Sequence, residues 1–130
     1  MTACDVLVID DEPVVRAAVR RVLEAHGLRV ATADDAESGL RHPGLATCRV
    51  VLCDLMLPDR SGADVLRELV ERYPGLPVVM ITGYATPDHA VRAREAGAAD
   101  FLAKPFDAPE LMASVRRALG ARPAAQEEGS

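Results

Sequence analysis

Five short apolar runs recur along the chain, and a segment with helical character follows each of them. The first, third and fourth runs are rich in valine and isoleucine and do not alternate with polar residues. This is typical of strands that are buried on both faces of a parallel sheet. We therefore predict β-strands at Asp5–Ile9, Leu28–Ala33, Arg49–Cys53, Pro77–Ile81 and Asp100–Ala103.

Helix boundary signals separate these runs. Pro13 suits a first helical turn, and Gly27 closes the helix that begins there. Between them, apolar residues at helical spacing predict one stripe facing the core. The stripe consists of Val15, Ala18, Val19, Val22 and Leu23.

Four further helices are predicted from caps and apolar periodicity. They cover residues 35–40, residues 62–73, the segment from the Thr86 cap to Gly97, and the segment that follows the capping box of Asp107 and Glu110.

The strand–helix order, repeated five times, predicts an α/β fold. Parallel strands with right-handed crossovers form a single doubly wound five-stranded sheet between two helical layers. A length of 130 residues suits one domain, which we place at residues 1–120. Residues 121–130 lose the periodicity and are predicted to be a linker or a disordered tail.

Charge and cysteine content exclude several functional classes. The net charge of −5 argues against direct binding of nucleic acid or an anionic membrane by this domain. No apolar run approaches the ~20 residues that span a bilayer. Cys4, Cys48 and Cys53 include no CxxC pair, so a zinc site is not expected. They are predicted to be reduced, buried thiols of a cytoplasmic protein.

Polar residues mark the carboxyl ends of the strands, where ligands bind in open α/β sheets. The first strand ends in Asp10-Asp11-Glu12, the third in Asp54, the fourth in Thr82-Gly83 and the fifth in Lys104-Pro105. Clustered carboxylates repel one another, and a hard divalent cation such as Mg²⁺ relieves that repulsion. A carboxylate can also act as a nucleophile toward phosphorus. These side chains therefore suit phosphoryl transfer.

The ordered set of motifs resembles the receiver domain of response regulators in two-component signal transduction. The resemblance covers about Asp5 to Leu119 and implies a flavodoxin-like (βα)5 fold with strand order 2-1-3-4-5. The matching pieces are Asp10-Asp11, the segment from Asp54 to Gly62, Thr82-Gly83, Phe101 and Lys104-Pro105.

The resemblance implies a role for each matching residue. Asp54 would be the phosphoacceptor, and Thr82 and Lys104 would bind the phosphoryl oxygens. Thr82 and the aromatic residue Phe101 would form the switch. The Lys104–Pro105 bond is expected to be cis. The Mg²⁺ ligands would be Asp10, Asp11, Asp54 and the backbone carbonyl of Met56.

The resemblance also implies partners and an output. A sensor histidine kinase or a phosphotransfer protein would supply the phosphoryl group to a cytoplasmic, non-enzymatic switch. Homodimers would form through the fourth helix, fifth strand and fifth helix. Control of transcription would need a domain outside this chain.

Other interpretations remain open at this stage. Asp10 and Asp11 could cap the first helix, Asp54 could be a turn residue, and Lys104 could be solvated. As a whole, the chain could be a pseudo-receiver that never takes phosphate, although it keeps the residues that such a module would have lost. It could also be an aspartate-nucleophile phosphatase, but position 56 lacks the second acid that this chemistry needs.

Overall fold

A computed structural model describes residues 4–120 of the chain. The predicted tail at residues 121–130 lies outside the described residues. Five strands form one parallel sheet. They are β1 (Val6–Ile9), β2 (Val30–Ala33), β3 (Val50–Asp54), β4 (Val78–Thr82) and β5 (Asp100–Ala103).

The order of the strands across the sheet is β2-β1-β3-β4-β5. This confirms the predicted fold class and topology. Each consecutive pair of strands is joined by a helix-containing crossover, as parallel strands require. The helices are α1 (Pro13–Ala25), α2 (Ala36–Leu40), α3 (Gly62–Arg72), α4 (Pro87–Glu95) and α5 (Ala108–Gly120).

The predicted caps form hydrogen bonds in the structure. The Thr86 hydroxyl accepts the backbone N–H of His89 at 3.1 Å and begins α4. The Asp107 carboxylate accepts the backbone N–H of Glu110 at 2.8 Å and the Glu110 carboxylate accepts that of Asp107 at 2.9 Å, which completes the capping box of α5. A 3₁₀ helix at Pro43–Ala46, between α2 and β3, was not predicted because one turn carries no periodicity.

The sheet separates two apolar layers. On one face, α1 and α5 pack against alternate residues of the central strands, represented by Val8 and Leu52. On the other face, α2, α3 and α4 pack against the intervening residues, represented by Leu7 and Met80. Both faces of the central strands are therefore buried, as their continuous apolar sequence predicted.

One part of the predicted stripe on α1 is wrong. Val19 and Leu23 are buried against the sheet, but Ala18 is exposed to solvent at the wall of a surface cavity. Residue 18 falls at the margin of the apolar arc, where periodicity alone cannot separate core from rim. Within residues 4–120, no helix combines the length and apolar character required to cross a membrane.

Candidate functional site

Two buried carboxylates lie side by side where β1 and β3 end. Asp10 follows β1 and its side chain is 0% exposed. Its Oδ1 accepts the backbone N–H of Glu12 at 2.8 Å, a bond formed before the first turn of α1. Asp54 is the last residue of β3, and its Oδ1 accepts the backbone N–H of Met56 at 3.1 Å. The two strands are hydrogen-bonded neighbours, so the sheet itself brings the acids together.

Lys104, which follows β5, is the cation of this cluster. Its Nζ lies 2.5 Å from Glu12 Oε1, 2.9 Å from Asp10 Oδ2 and 3.1 Å from Asp54 Oδ2. Only 15% of the lysine side chain is exposed, so the solvated alternative is excluded. Lys104 is also the chain's single lysine, a signal that the sequence reasoning did not use.

A tight loop places the phosphoacceptor candidate. Gly62 donates its N–H to the carbonyl of Leu55 at 2.7 Å and begins α3. A Cβ on Gly62 would lie 2.2 Å from the backbone oxygen of Asp54, a distance that no side chain tolerates. Glycine at this position therefore lets the loop close directly behind Asp54.

Thr82 ends β4 on the other side of Asp54 and is fully buried. Its hydroxyl oxygen accepts the backbone N–H of Tyr84 at 3.0 Å, so the local hydrogen bond considered for this residue does exist. That bond uses the hydroxyl as an acceptor. Its proton therefore stays available for a second oxygen.

These side chains meet at the wall of a cavity of about 680 Å³. Asp54, Thr82 and Lys104 form its polar end, and α1 supplies an apolar side with Val14 and Val15. The cavity opens at the carboxyl edge of the sheet, where ligands of open α/β folds bind.

Burial and the neighbouring acids shape the protonation of the cluster. Burial, and then the negative charge of Asp10, raise the pKa of Asp54, although the Met56 N–H and Lys104 oppose the shift. Burial alone would lower the pKa of Lys104, but Glu12, Asp10 and Asp54 outweigh it and raise the pKa. Three carboxylates thus share one ammonium group.

The donor set fits a divalent cation. Asp10, Glu12 and Asp54 each bring one ligand oxygen within 4.8 Å of the other two. Among residues 4–120, Asp10 Oδ2 is buried without a hydrogen-bond donor, because the nearby Lys104 Nζ approaches it outside hydrogen-bond geometry. Mg²⁺ prefers oxygen ligands and keeps several waters, so one or two of these carboxylates are enough to hold it.

The structure places the remaining predicted site residues around this cluster. Asp11 is exposed at the rim of the cavity, and Met56 lines it with a side chain that is 57% exposed. Phe101 is half-buried against the layer that contains α4. The Lys104–Pro105 bond is cis, as expected.

Glu12 is the site residue that sequence reasoning missed. It was noted among the acids that end the first strand but was given no role. Its contact with Lys104 joins residues 92 positions apart in sequence, and the family motif does not include it.

Comparisons with known proteins identify the family. The model of the response regulator receiver domain matches residues 6–116. The C4-dicarboxylate transport transcriptional regulatory protein DctD of Pseudomonas aeruginosa is 46% identical over 121 residues, which cover 90% of this chain and 25% of the regulator.

Solved structures agree with this assignment. A response regulator receiver domain protein of Clostridium thermocellum is 34% identical with a TM-score of 0.83, covering 90% of this chain and 94% of that one. NtrX of Brucella abortus is 37% identical with a TM-score of 0.88, covering 98% of this chain and 29% of that one.

The curated relatives differ from this chain in length. The chain spans between 24% and 56% of the curated relatives that it matches. With the fold and the strand-end motifs, these matches show that the chain belongs to the response regulator receiver domain family.

Proposed function

We propose that Asp54 accepts a phosphoryl group and that the domain transmits a signal by the change that follows. The observation that carries this proposal is the position of Asp54. It is 4% exposed, ends a central strand at the cavity wall, and has Oδ2 3.1 Å from Lys104 Nζ. A buried carboxylate beside a cation, at an opening that admits a donor, suits a nucleophile.

Asp10, Asp11, Asp54 and the backbone carbonyl of Met56 would hold a Mg²⁺ ion, and Glu12 lies close enough to contribute charge. Bound there, Mg²⁺ would neutralise negative charge on the phosphoryl oxygens. The orphaned Asp10 Oδ2 and the excess of carboxylates over lysine support this assignment.

Asp54, Lys104 and Thr82 have separate roles in the transfer. An Asp54 oxygen forms a bond to phosphorus while the donor's bond to phosphorus breaks. A phosphohistidine donor leaves as imidazole and takes up a proton, whereas acetyl phosphate leaves as acetate. The Lys104 ammonium then exchanges a carboxylate for a phosphoryl oxygen, and the Thr82 hydroxyl donates its free proton to another.

Incubation with acetyl phosphate and Mg²⁺ tests the proposal. Wild-type protein is expected to gain one phosphoryl group, and the gain should be lost in Asp54→Ala and in the presence of a chelator. Asp64→Asn is the matched control, because Asp64 is a half-exposed acid on α3 that pairs only with Arg67 among the described residues. Unchanged labelling of Asp54→Ala would contradict the assignment.

The proposed output face consists of α4, β5 and α5. Phosphorylation would draw Thr82 toward the phosphoryl group and let Phe101, half-buried beneath α4, repack. Among the arginines of this face, Arg94 and Arg117 pair with Asp100 inside the domain. Arg92 and Arg116 are exposed and remain the candidates for pairing between copies.

Beryllofluoride, an analogue of the phosphoryl group, tests this face. With Mg²⁺ it should shift the NMR resonances of Thr82 and Phe101 together and change the oligomer size. Arg116→Glu should weaken self-association without reducing beryllofluoride binding, because Arg116 does not line the cavity. Unchanged resonances and unchanged size in the wild type would refute the proposed output.

A histidine kinase or phosphotransfer protein as donor is likewise proposed, as is control of transcription by a further domain. The support is the family membership and the similarity to DctD of Pseudomonas aeruginosa, a transcriptional regulatory protein. Phosphotransfer from a purified donor kinase to the wild type, compared with Asp54→Ala, is the corresponding test.

A further inference from the structure

Two buried thiols lie in contact at the edge of the sheet opposite the phosphorylation site. Cys4 Sγ and Cys48 Sγ are 3.4 Å apart, with relative exposures of 3% and 8%. One thiol donates its hydrogen to the other. Closing the contact to the ~2.05 Å of a disulfide requires a movement of about 1.4 Å.

The strand register explains why the two cysteines meet. β1 and β3 pair with Val6 opposite Val50, and the same offset of 44 residues places Cys4 opposite Cys48. The pairing continues beyond the strands, since the Asp5 carbonyl accepts the backbone N–H of Arg49 at 2.8 Å. Neighbouring strands run about 4.8 Å apart, which lies within the Cα separation that a disulfide spans.

The 3₁₀ helix at Pro43–Ala46 covers the pair. Cys4 Sγ donates to the Gly44 carbonyl at 3.4 Å, and the Cys4 backbone N–H donates to the Thr47 hydroxyl at 3.2 Å. A Cβ on Gly44 would lie 2.9 Å from Cys4 Sγ, so glycine leaves the thiol its space. This cover is a single short turn, which opens at lower cost than the sheet does.

We propose that Cys4 and Cys48 form a reversible intramolecular disulfide when the protein meets a peroxide. One thiol, as its thiolate, takes an oxygen atom from hydrogen peroxide and becomes a sulfenic acid, and water is released. The second thiol attacks that sulfur, a second water leaves, and the S–S bond forms. Overall, two thiols and one hydrogen peroxide give one disulfide and two waters.

The surroundings set the rate of this reaction. Burial, and then the neighbouring Cys4, raise the pKa of Cys48, so little thiolate is present and the first step is slow. The second step is fast because the partner sulfur is already in contact. Formation over minutes to hours is therefore expected, as for other uncatalysed thiol oxidations.

The bond would fasten the amino ends of the two central strands. Cys48 and Asp54 are six residues apart along β3 and its approach, which is about 20 Å of extended chain. Phosphorylation of Asp54 is therefore expected to survive oxidation. The loop between the cysteines is long, and closing it should raise the melting temperature by on the order of 10 °C.

Thiol counting in the full 130-residue chain tests the proposal. Protein treated with hydrogen peroxide and then denatured should present one thiol to N-ethylmaleimide, that of Cys53, and reduction with a phosphine before the alkylation should restore all three. Trypsin cleaves after Arg49 and so separates Cys48 from Cys53. The expected cross-linked product joins the peptide of residues 1–16 to that of residues 42–49.

Cysteine variants test whether the disulfide joins Cys4 and Cys48. Cys53→Ala should keep the gain in melting temperature on oxidation, because Cys53 is 0% exposed and lies on β3 five residues from Cys48. Cys4→Ser and Cys48→Ser should lose the gain in melting temperature. Three alkylatable thiols in oxidised wild type, or Cys53 in the cross-linked peptide, would overturn the proposal, and neither result depends on the serine variants folding.

Discussion

Buried acids have opposite electrostatic surroundings at the two edges of the sheet, the amino edge where the strands begin and the carboxyl edge where they end. At the amino edge, Asp5 accepts the backbone N–H and the guanidinium Nε of Arg29, at 2.7 Å and 3.2 Å, with Arg49 3.7 Å away. The Arg29 hydrogen bonds lower the pKa of Asp5. Two cations therefore serve one carboxylate.

Asp100, at the start of β5, follows the same rule. Its Oδ2 accepts from Arg117 Nη2 at 2.7 Å and from the Ser114 hydroxyl at 2.9 Å. Burial alone would raise the pKa of Asp100, but Arg117, the Phe101 N–H and Ser114 outweigh it and lower the pKa. Acids at this edge are fully compensated and stabilise the folded domain.

At the carboxyl edge, the acids outnumber the cations, because Asp10, Glu12 and Asp54 all contact Lys104. Burial is the largest cause of the raised pKa of Asp54 and the negative charge of Asp10 is the next, and the single lysine leaves a deficit of positive charge at this edge. Such a deficit destabilises the empty site and favours any cation that enters it. The contrast indicates that the amino edge serves stability and the carboxyl edge serves chemistry.

The largest effect is expected from the single cation at the carboxyl edge. Lys104→Met should slow phosphorylation of Asp54 by acetyl phosphate about a hundredfold, since the transferred oxygens lose a preorganised charged donor. Arg117→Gln is the control, because it removes a cation at the amino edge and should leave the rate unchanged. Equal rates in wild type and Lys104→Met would contradict the conclusion that the carboxyl edge serves chemistry.

The second largest effect is expected from removing the charge of an acid that is paired with cations. Asp100→Asn is expected to lower the free energy of unfolding by about 2 kcal/mol, because the charge-assisted bonds to Arg117 are lost while the site stays buried. Urea unfolding measures the change. An unaltered urea midpoint would show that the amino edge does not contribute to stability.

The same substitution at the other edge should act in the opposite direction. In a chelator at pH 7, Asp54→Asn is expected to raise the free energy of unfolding by about 1 kcal/mol, a modest figure because Lys104 and solvent in the cavity screen the cluster. A folded-state pKa above the unfolded value favours stability at low pH, and that stability is lost as the pH rises. The gain in Asp54→Asn should therefore vanish below about pH 4, where the wild-type carboxyl is protonated. Destabilisation at pH 7 would contradict this sign.

The smallest effect is expected from Arg29→Gln. The Arg29 side chain is 65% exposed and Asp5 keeps Arg49, so only a small loss of stability is expected at pH 7. Because the folded-state pKa of Asp5 is lowered, its stabilisation holds above the unfolded pKa of about 3.9 and is lost as the pH falls. Arg29→Gln should therefore flatten the acid limb of the stability profile. A profile parallel to that of the wild type would exclude this pair as a source of acid sensitivity.

Local sequence features predicted most of the fold because they act locally. The valine-rich runs, the Thr86 cap and the Asp107/Glu110 box specify elements without reference to distant residues. The strand order came from the family resemblance and is confirmed. Ala18 and the 3₁₀ helix at Pro43–Ala46 were missed because periodicity does not resolve a rim position or a single turn.

The sequence predicts which site residues stand at the ends of the strands, but it does not predict which of their side chains are in contact. Fold topology alone brings Asp10, Asp54 and Lys104 to one edge. The contact of Glu12 with Lys104 depends on side-chain direction, which no motif records. The same holds for the arginines around Asp100 and for the contact between the thiols of Cys4 and Cys48.

Direct mapping of the phosphoryl group tests whether Asp54 is the phosphoacceptor. Borohydride reduces an aspartyl phosphate to homoserine, and trypsin separates Asp54, in the peptide of residues 50–60, from Asp10 and Asp11, in that of residues 1–16. After treatment with acetyl phosphate and Mg²⁺, homoserine is expected at position 54 alone. Homoserine at position 10 or 11, or none in protein that demonstrably binds Mg²⁺, would contradict this assignment.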